Sequence, residues 1–250
     1  MAGVLLQFSL LQLGLVAGAA VFASVVGGIA GYGTGLLLPV VLVPIIGPEP
    51  VVPVMAIASL LINVSRVAAF RAAIEWRRTL VVLATAVPAC VLGAWFYTRL
   101  STAGTQLVIG AFLVASVLLR RFLKARDLRL GEGGLAAGGA GFGAITGTAP
   151  GTGVILISLL MASGLGGAAV IATDAAISVI VHLVQVLVFG VASVIDARVA
   201  AIALLIGACS VPGAFLARNI VGRMPVRLHA AILDGVVLLG GAMMVASALR

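Results

Sequence analysis

Long apolar runs without charge constrain this chain most. The first 30 residues contain no Asp, Glu, Lys or Arg, and similar apolar runs recur towards the C-terminus. Of the 250 residues, 63% are hydrophobic and 9% are charged, whereas a soluble domain has about 25% charged residues. The runs are continuous rather than alternating, which favours helices over the strands of a membrane barrel. The sequence therefore predicts an all-α polytopic membrane protein.

One basic stretch divides the apolar segments into two groups. The stretch RRFLKARDLRLGEGG, at residues 120–134, is predicted to be a cytoplasmic linker. It separates a first transmembrane repeat at 1–119 from a second at 135–250. Each repeat is predicted to contain about five hydrophobic segments, including a glycine-interrupted pair.

The two halves resemble each other at corresponding positions. A Gly-Thr-Gly motif at residues 33–35 lies within GYGTGLLLP, and a second at 151–153 ends GTAPGTG, 118 residues later. Ser59 and Asn63 in the next segment correspond to Ser178 and His182, which lie 119 residues further on. This constant spacing predicts an internal duplication.

The loop charges predict that the two repeats are inverted. Basic loops remain cytoplasmic, and equivalent loops of the two halves carry opposite densities of basic residues. The linker is then cytoplasmic, and both termini lie outside. In the first pair of loops, that of the first half contains Arg66, Arg71, Arg77 and Arg78, and that of the second half contains Asp196 and Arg198. In the next pair, the loop of the first half contains Arg99, and that of the second half contains Arg218, Arg223 and Arg227.

The short segments after the glycine motifs have two possible arrangements. Each has only about 11 apolar residues, whereas a crossing helix needs about 20. Either a short steep crossing or a re-entrant hairpin satisfies the charge pattern.

The paired glycine motifs predict an anion site. A broken membrane helix leaves backbone N–H groups without partners, and the N-terminus of the next helix attracts negative charge. Close helix packing is the alternative explanation, and it is the one that suits Gly14 and Gly18. The predicted substrate-binding residues are Gly31, Gly33, Thr34, Gly35, Ser59, Asn63, Thr148, Gly151, Thr152, Gly153 and Ser178.

A polar face on the apolar segment at about 167–190 is a second candidate. Asp174, Ser178, His182 and Gln185 are spaced to share one helix face. Ionisable groups inside a membrane are costly, so Asp174 and His182 are candidates for proton coupling. A structural polar seam is the equal alternative. Arg66, on the corresponding segment of the first half, is interpreted as a topology anchor rather than an anion attractor.

The sequence contains no pattern typical of an enzyme or a cofactor protein. A P-loop, HExxH, GxGxxG and a nucleophile elbow are all missing from it, so no catalytic residue, metal or cofactor is predicted. The net charge of +8 is assigned to topology and anionic lipid rather than to nucleic acid.

The two glycine-rich stretches resemble those of the TauE/SafE sulfite-exporter family. The resemblance lies in GGIAGYGTGLLLPVVLVPIIG at 27–47 and FGAITGTAPGTGVILISLLMASG at 142–164, and the chain has the family's length and duplication. It implies an inner-membrane permease for sulfite or an organosulfonate, with the glycine motifs lining the substrate path. The threonines interleaved among the glycines depart from the family's adjacent glycines and leave the substrate open.

The leading hypothesis is a secondary carrier of small anions that works by alternating access, with protons as a candidate coupling ion. The alternatives are a cation- or proton-coupled carrier of another solute and, with less support, a membrane-embedded enzyme. The expected partners are the anion and the lipid bilayer of a bacterial-type inner membrane, with no nucleic acid, and a homodimer is left open.

Overall fold

A computed structural model of the chain describes residues 8–30, 34–125, 129–220 and 226–249. Ten α-helices and one 3₁₀ turn, at Arg71–Ala73, lie in these ranges, which contain no strand. In chain order the helices are α1 Leu10–Ala30, α2 Thr34–Ile46, α3 Val51–Phe70, α4 Trp76–Tyr97, α5 Thr102–Ala125, α6 Glu132–Thr148, α7 Gly153–Ala162, α8 Gly167–Val191, α9 Ala197–Ile220 and α10 Val226–Ala248.

The outer surface of the helices is apolar. For example, Trp76, Leu92 and Leu187 are 61%, 68% and 59% exposed. A soluble protein rarely exposes many large apolar side chains together, so this surface faces lipid. By length and composition, three helices in the described ranges are able to cross a membrane: Val51–Ala73, Trp76–Tyr97 and Gly167–Val191. The predicted all-helical membrane fold is confirmed.

Helices α6 and α7 form a hairpin. The Leu130 N–H, just before α6, donates a 2.8 Å hydrogen bond to the carbonyl of Ala162, the last residue of α7. The chain therefore returns at the end of α7 to the level at which α6 begins. With 10 residues, α7 is about 15 Å long, half the thickness of a hydrocarbon core.

Helices α1 and α2 form a corresponding hairpin. Phe8 and Leu13, at the start of this hairpin, line one small apolar crevice together with Ile45 and Ile46 at its end. Near the tip, the Thr34 hydroxyl donates a 3.2 Å hydrogen bond to the Ala23 carbonyl. Its second helix, α2, has 13 residues and is about 20 Å long.

The base of the first hairpin lies beside the C-terminus of α4. The Tyr97 hydroxyl donates to the carbonyls of Pro48, at 3.3 Å, and Glu49, at 2.9 Å, just after α2. The Thr102 hydroxyl, at the start of α5, donates to the Glu49 carboxylate. These bonds attach the first hairpin to one end of α4.

The base of the second hairpin lies beside the N-terminus of the same helix. Arg77 Nε is 2.7 Å from Glu132 Oε1, and Arg78 Nη2 donates to the Ser163 carbonyl at 2.9 Å. Because α4 has 22 residues and is about 33 Å long, the two hairpins enter the bundle from ends that are a membrane thickness apart.

Glycines allow α6 to pack closely along α4. A Cβ added to Gly139 would meet Val82 and Thr85, and one on Gly143 would collide with the backbone of Ala86. Gly147 is equally close to α4. This is a small-xxx-small interface, with glycines four residues apart. Among the described residues, by contrast, an added Cβ on Gly14 or Gly18 would meet nothing within 4 Å.

The buried apolar residues form two clusters, each containing one hairpin. The second-hairpin core combines α6 and α7 with parts of α4 and α8. The first-hairpin core combines α1 and α2 with parts of α3, α5, α9 and α10. It also includes Ala94 and Tyr97 from the end of α4 and Phe189 from the end of α8. The second-hairpin core consists of Val82, Ala86, Cys90, Leu135, Phe142, Val154, Ile155, Leu156, Leu160, Leu165, Val170, Ile177 and Val181, and Leu36, Leu38, Leu42, Val54, Ile109 and Ile206 are among the residues of the other.

The pattern of helix contacts has a regular form. Helices α1 and α9 pack together, as do α4 and α6, and the crossings of α3 with α8 and α5 with α10 are extensive. Helix α3 also contacts α9, and α4 contacts α8. The predicted linker is partly helical, because α5 continues through Ala125.

Candidate functional site

The tips of the two hairpins meet at Gly35 and Gly151. A Cβ placed on Gly35 would lie 2.5 Å from the Gly151 Cα, and one placed on Gly151 would lie 2.8 Å from the Gly35 carbonyl oxygen. Gly151 also has φ of +88°, a conformation that side chains other than glycine rarely adopt. The structure thus brings together the two motifs that the sequence placed 118 residues apart.

The beginning of α7 presents uncommitted backbone donors at this tip. The N–H groups of Ile155 and Leu156 both donate to the Thr152 carbonyl, at 2.9 and 3.3 Å. Within the described ranges, the N–H groups of Gly153 and Val154 have no hydrogen-bond acceptor. The Thr152 side chain does not cap the helix. The helix dipole adds partial positive charge at the same place, so this end of α7 suits an anion.

The threonine hydroxyls at the tips are engaged with protein oxygens. Thr146 donates to the Phe142 carbonyl at 2.7 Å, so the 2.7 Å contact between the Thr146 and Thr152 hydroxyls has Thr152 as its donor. Thr34 donates to Ala23, and Thr148 bonds back to the Ile145 carbonyl at 3.1 Å. In this conformation, donors for an anion are therefore backbone amides rather than these hydroxyls.

Helix α8 connects with the second tip through Gln185. Its side-chain nitrogen donates a 2.7 Å hydrogen bond to the Thr146 carbonyl, and Gln185 is only 2% exposed. His182, one turn earlier, has Nδ1 2.7 Å from the Ser178 carbonyl. The four residues of the predicted face, Asp174, Ser178, His182 and Gln185, are called the α8 polar row below.

At the other end of the α8 polar row, Asp174 faces Arg66 of α3. Arg66 Nη1 lies 4.0 Å from Asp174 Oδ2, and the two side chains are 27% and 5% exposed. One turn before Arg66, the Asn63 amide donates to the Ser59 carbonyl at 2.9 Å. Thus the polar groups of both halves meet where α3 crosses α8.

Other parts of the predicted site remain separate or undescribed. Gly31 and Gly33 lie outside the described residues, and an added Cβ at Gly153 would meet nothing within 4 Å. Across the described ranges, no three His, Cys, Asp or Glu side chains come together as a metal site would require.

Two residues of the site were not selected from the sequence. Thr146 sits three positions before the turn in ITGTAPGTG, and only the folded hairpin places it against Thr152. Arg66 continues the Ser59 and Asn63 face with a spacing of three. Its place beside a basic loop favours a topology anchor, whereas the structure places it against Asp174.

The family model described as Sulfite exporter TauE/SafE matches residues 16–244, which extend from α1 to α10. Both glycine-rich stretches lie inside this match, so the resemblance that they indicate is confirmed. No curated protein and no solved structure matches the chain.

Proposed function

This chain belongs to the sulfite exporter TauE/SafE family of membrane transporters for sulfur-containing anions, and we propose that it is a secondary carrier of sulfite or an organosulfonate. It works by alternating access and without ATP. The contact of Gly35 with Gly151, beside the uncommitted amides of α7, is the observation that supports this function most directly.

We propose that the chain is a pair of inverted repeats in which helix n of the first half corresponds to helix n+5 of the second. The contacts support this, because exchanging the halves converts the α4–α6 pair into α9–α1 and the α4–α8 pair into α9–α3. It also leaves the α3–α8 and α5–α10 crossings unchanged. The bases of the two hairpins, at opposite ends of α4, fit the same symmetry.

The orientation follows from the basic residues. Arg71, Arg77, Arg78 and Arg129 lie at the end of the bundle that holds the base of the second hairpin, next to the basic linker. Positive loops remain in the cytoplasm, so we assign this end to the cytoplasm of a bacterial-type inner membrane. The hairpins are then re-entrant, one from each side, and their tips meet inside the membrane.

The tip contact is proposed to be the barrier between the two sides. Irregular backbone is tolerated within a membrane only where it is buried in protein or lines a cavity. Each tip belongs to a different apolar core, so movement of one core relative to the other separates Gly35 from Gly151. The anion then binds to the amides at the start of α7, and the α8 polar row provides the place for a coupling proton.

The function is tested by measuring the uptake of radiolabelled sulfite into proteoliposomes. The wild type is compared with a variant that carries a carboxylate of its own at the proposed anion site. In Gly153→Asp, a carboxylate at the first position of α7 is favourable for the helix, and no described residue lies within 4 Å of a Cβ added there. It should occupy the anion site. We expect unchanged or higher thermal stability and at least about a tenfold loss of uptake, since each 1.4 kcal/mol of lost binding is tenfold.

Gly153→Asn is the matched neutral control and should retain most of the uptake. Wild-type uptake by Gly153→Asp would exclude the tip as the anion site. If the wild-type protein moves none of sulfite, sulfoacetate and methanesulfonate under any imposed gradient, sulfur-anion transport itself is wrong.

A further inference from the structure

The Arg66–Asp174 pair is buried but loosely joined. Its 4.0 Å separation exceeds the 2.7–2.9 Å typical of a charge-assisted hydrogen bond, although Asp174 is only 3% exposed. The two charges belong to α3 and α8, one from each half of the chain. The guanidinium is therefore near enough to neutralise the carboxylate, yet it is not held to it by a hydrogen bond.

The same region has buried acceptors without donors. In the described part of the chain, Asp174 Oδ1 and Asn63 Oδ1 have no hydrogen-bond partner, although Asn63 is only 8% exposed. Asn63 lies three residues before Arg66, on the same face of α3. Buried polar atoms in native proteins are nearly always paired. The Asp174 carboxylate therefore has one buried oxygen that a proton or another donor would satisfy.

The other charged groups on the elements around α8 have different contacts. Glu75, just before α4, donates its backbone N–H to the Thr173 hydroxyl at 3.1 Å, and its carboxylate lies 4.0 Å from Arg78 Nη1. Arg71, in the 3₁₀ turn, is exposed, and His182 is bonded to Ser178 two turns along α8. Within the described ranges, Arg66 is the one cation within ion-pair distance of Asp174.

We propose that Arg66 and Asp174 exchange partners, so that one proton crosses with each substrate anion. In the empty carrier, the guanidinium neutralises the carboxylate. In the loaded carrier, the anion binds Arg66 and a proton binds Asp174. Both states carry the same net charge for a monoanion, and neither leaves a lone buried charge, which would be costly. This inference rests on the proposed transport of anions.

The position of the pair suits this role. Asp174 lies seven residues into α8, about 10 Å from the end assigned to the cytoplasm, and Gln185, which contacts the tip, is about 16 Å further along. Ser178 and His182 lie between them. An anion or proton on the cytoplasmic side therefore reaches the pair before it reaches the tip.

The experiment measures radiolabelled sulfite in proteoliposomes under an imposed pH gradient, with the uptake of protein-free vesicles subtracted. Because protons move to the alkaline side, co-transported sulfite should accumulate there. One proton per monoanion sustains about a tenfold accumulation of hydrogen sulfite for each pH unit, since one unit corresponds to 1.36 kcal/mol. We expect Asp174→Asn to retain sulfite exchange at zero gradient but to lose the accumulation.

Glu132→Gln is the matched control, because it removes a carboxylate from an exposed ion pair at the same end of the bundle. It should accumulate sulfite as the wild type does. Arg66→Gln should raise the sulfite concentration needed for half-maximal exchange about tenfold or more, and Arg66→Lys should restore part of that loss.

An Asp174→Asn protein that accumulates sulfite like the control would overturn the proposal. If this variant does not fold, Arg66→Gln combined with Asp174→Asn leaves no lone buried charge and serves instead. It should need about tenfold more sulfite for half-maximal exchange. At sulfite concentrations high enough to saturate that exchange it should still not accumulate sulfite, and accumulation like that of the control would overturn the proposal. If the wild type transports sulfite and these variants respond to the pH gradient as the wild type does, only the proposed exchange of partners between Arg66 and Asp174 is refuted. Absence of flux from the wild type refutes the transport function.

Discussion

The two hairpins carry similar tips but are supported differently. The second packs along α4 through Gly139, Gly143 and Gly147, where helix backbones nearly touch. Among the described residues, the first packs along α9 with the Ser24 hydroxyl donating to the Ser210 carbonyl at 2.5 Å. Similar tips are therefore supported by a glycine interface in one half and, among the described residues, by a serine contact in the other.

This difference indicates which hairpin is held more firmly. Close backbone approach increases van der Waals contact, which is a main source of helix association in membranes. The second hairpin also has an ion pair and an arginine bond at its base, and a hydroxyl chain at its tip. We infer that the second hairpin is held more firmly to α4 than the first hairpin is to α9.

The largest effect is expected from breaking the close interface with Gly143→Leu. Its side chain would collide with the Ala86 backbone, which cannot rotate away, so the free energy of unfolding should fall by about 3 kcal/mol or more. Thermal unfolding in detergent measures this. Gly141→Leu is the control on the same helix, because an added Cβ there meets nothing within 4 Å. Equal destabilisation by the two variants would contradict the α4–α6 packing.

A smaller effect is expected where the hairpins touch. Gly151→Ala places a methyl group against Leu36 and the Gly35 carbonyl and forces alanine to φ of +88°, so it should cost about 2 kcal/mol. Gly153→Ala, two residues away in open space at the start of α7, should be neutral or slightly stabilising. The difference between the melting temperatures of the two variants checks the tip contact, and no difference would refute it.

The smallest effect compares the hydroxyls of the two tips. Thr152→Val removes the donor to Thr146 in a buried position and should cost about 1 kcal/mol. Thr34→Val removes a longer bond from a half-buried position and should cost less. Because both hydroxyls already donate within the protein, neither change should greatly weaken sulfite binding measured by thermal shift. A tenfold loss of affinity would show that a hydroxyl rotates to the anion.

Much of the helical framework was predictable because it depends on local composition. The apolar segment at 152–164 corresponds to α7, Gly153–Ala162, and the one at 35–47 corresponds to α2, Thr34–Ile46. The polar spacing on α8 likewise predicted one face, and Gln185 and Asp174 are both buried on it. The roles of these residues in binding or coupling stay predictions.

The packing partners were less predictable. Gly14 and Gly18 have the spacing of a close interface, but a Cβ added to either meets none of the described residues within 4 Å, whereas Gly143 and Gly147 have the same spacing and are in contact. The spacing is identical, and only the position of a neighbouring helix distinguishes them. The partner of Arg66 was equally hard to predict from the sequence, because Asp174 is more than 100 residues away in the chain.

By itself, the sequence determined that this is a helical membrane protein, that its glycine motifs recur with a constant spacing, and that its family is one of sulfur-anion transporters. These properties follow from hydrophobicity, local backbone preference and motif. Only the tertiary structure decided that the hairpin tips touch, that the threonine hydroxyls are occupied, and that Arg66 faces Asp174. Each of those depends on which helices lie side by side, and that is set by long-range packing rather than by any local run of residues.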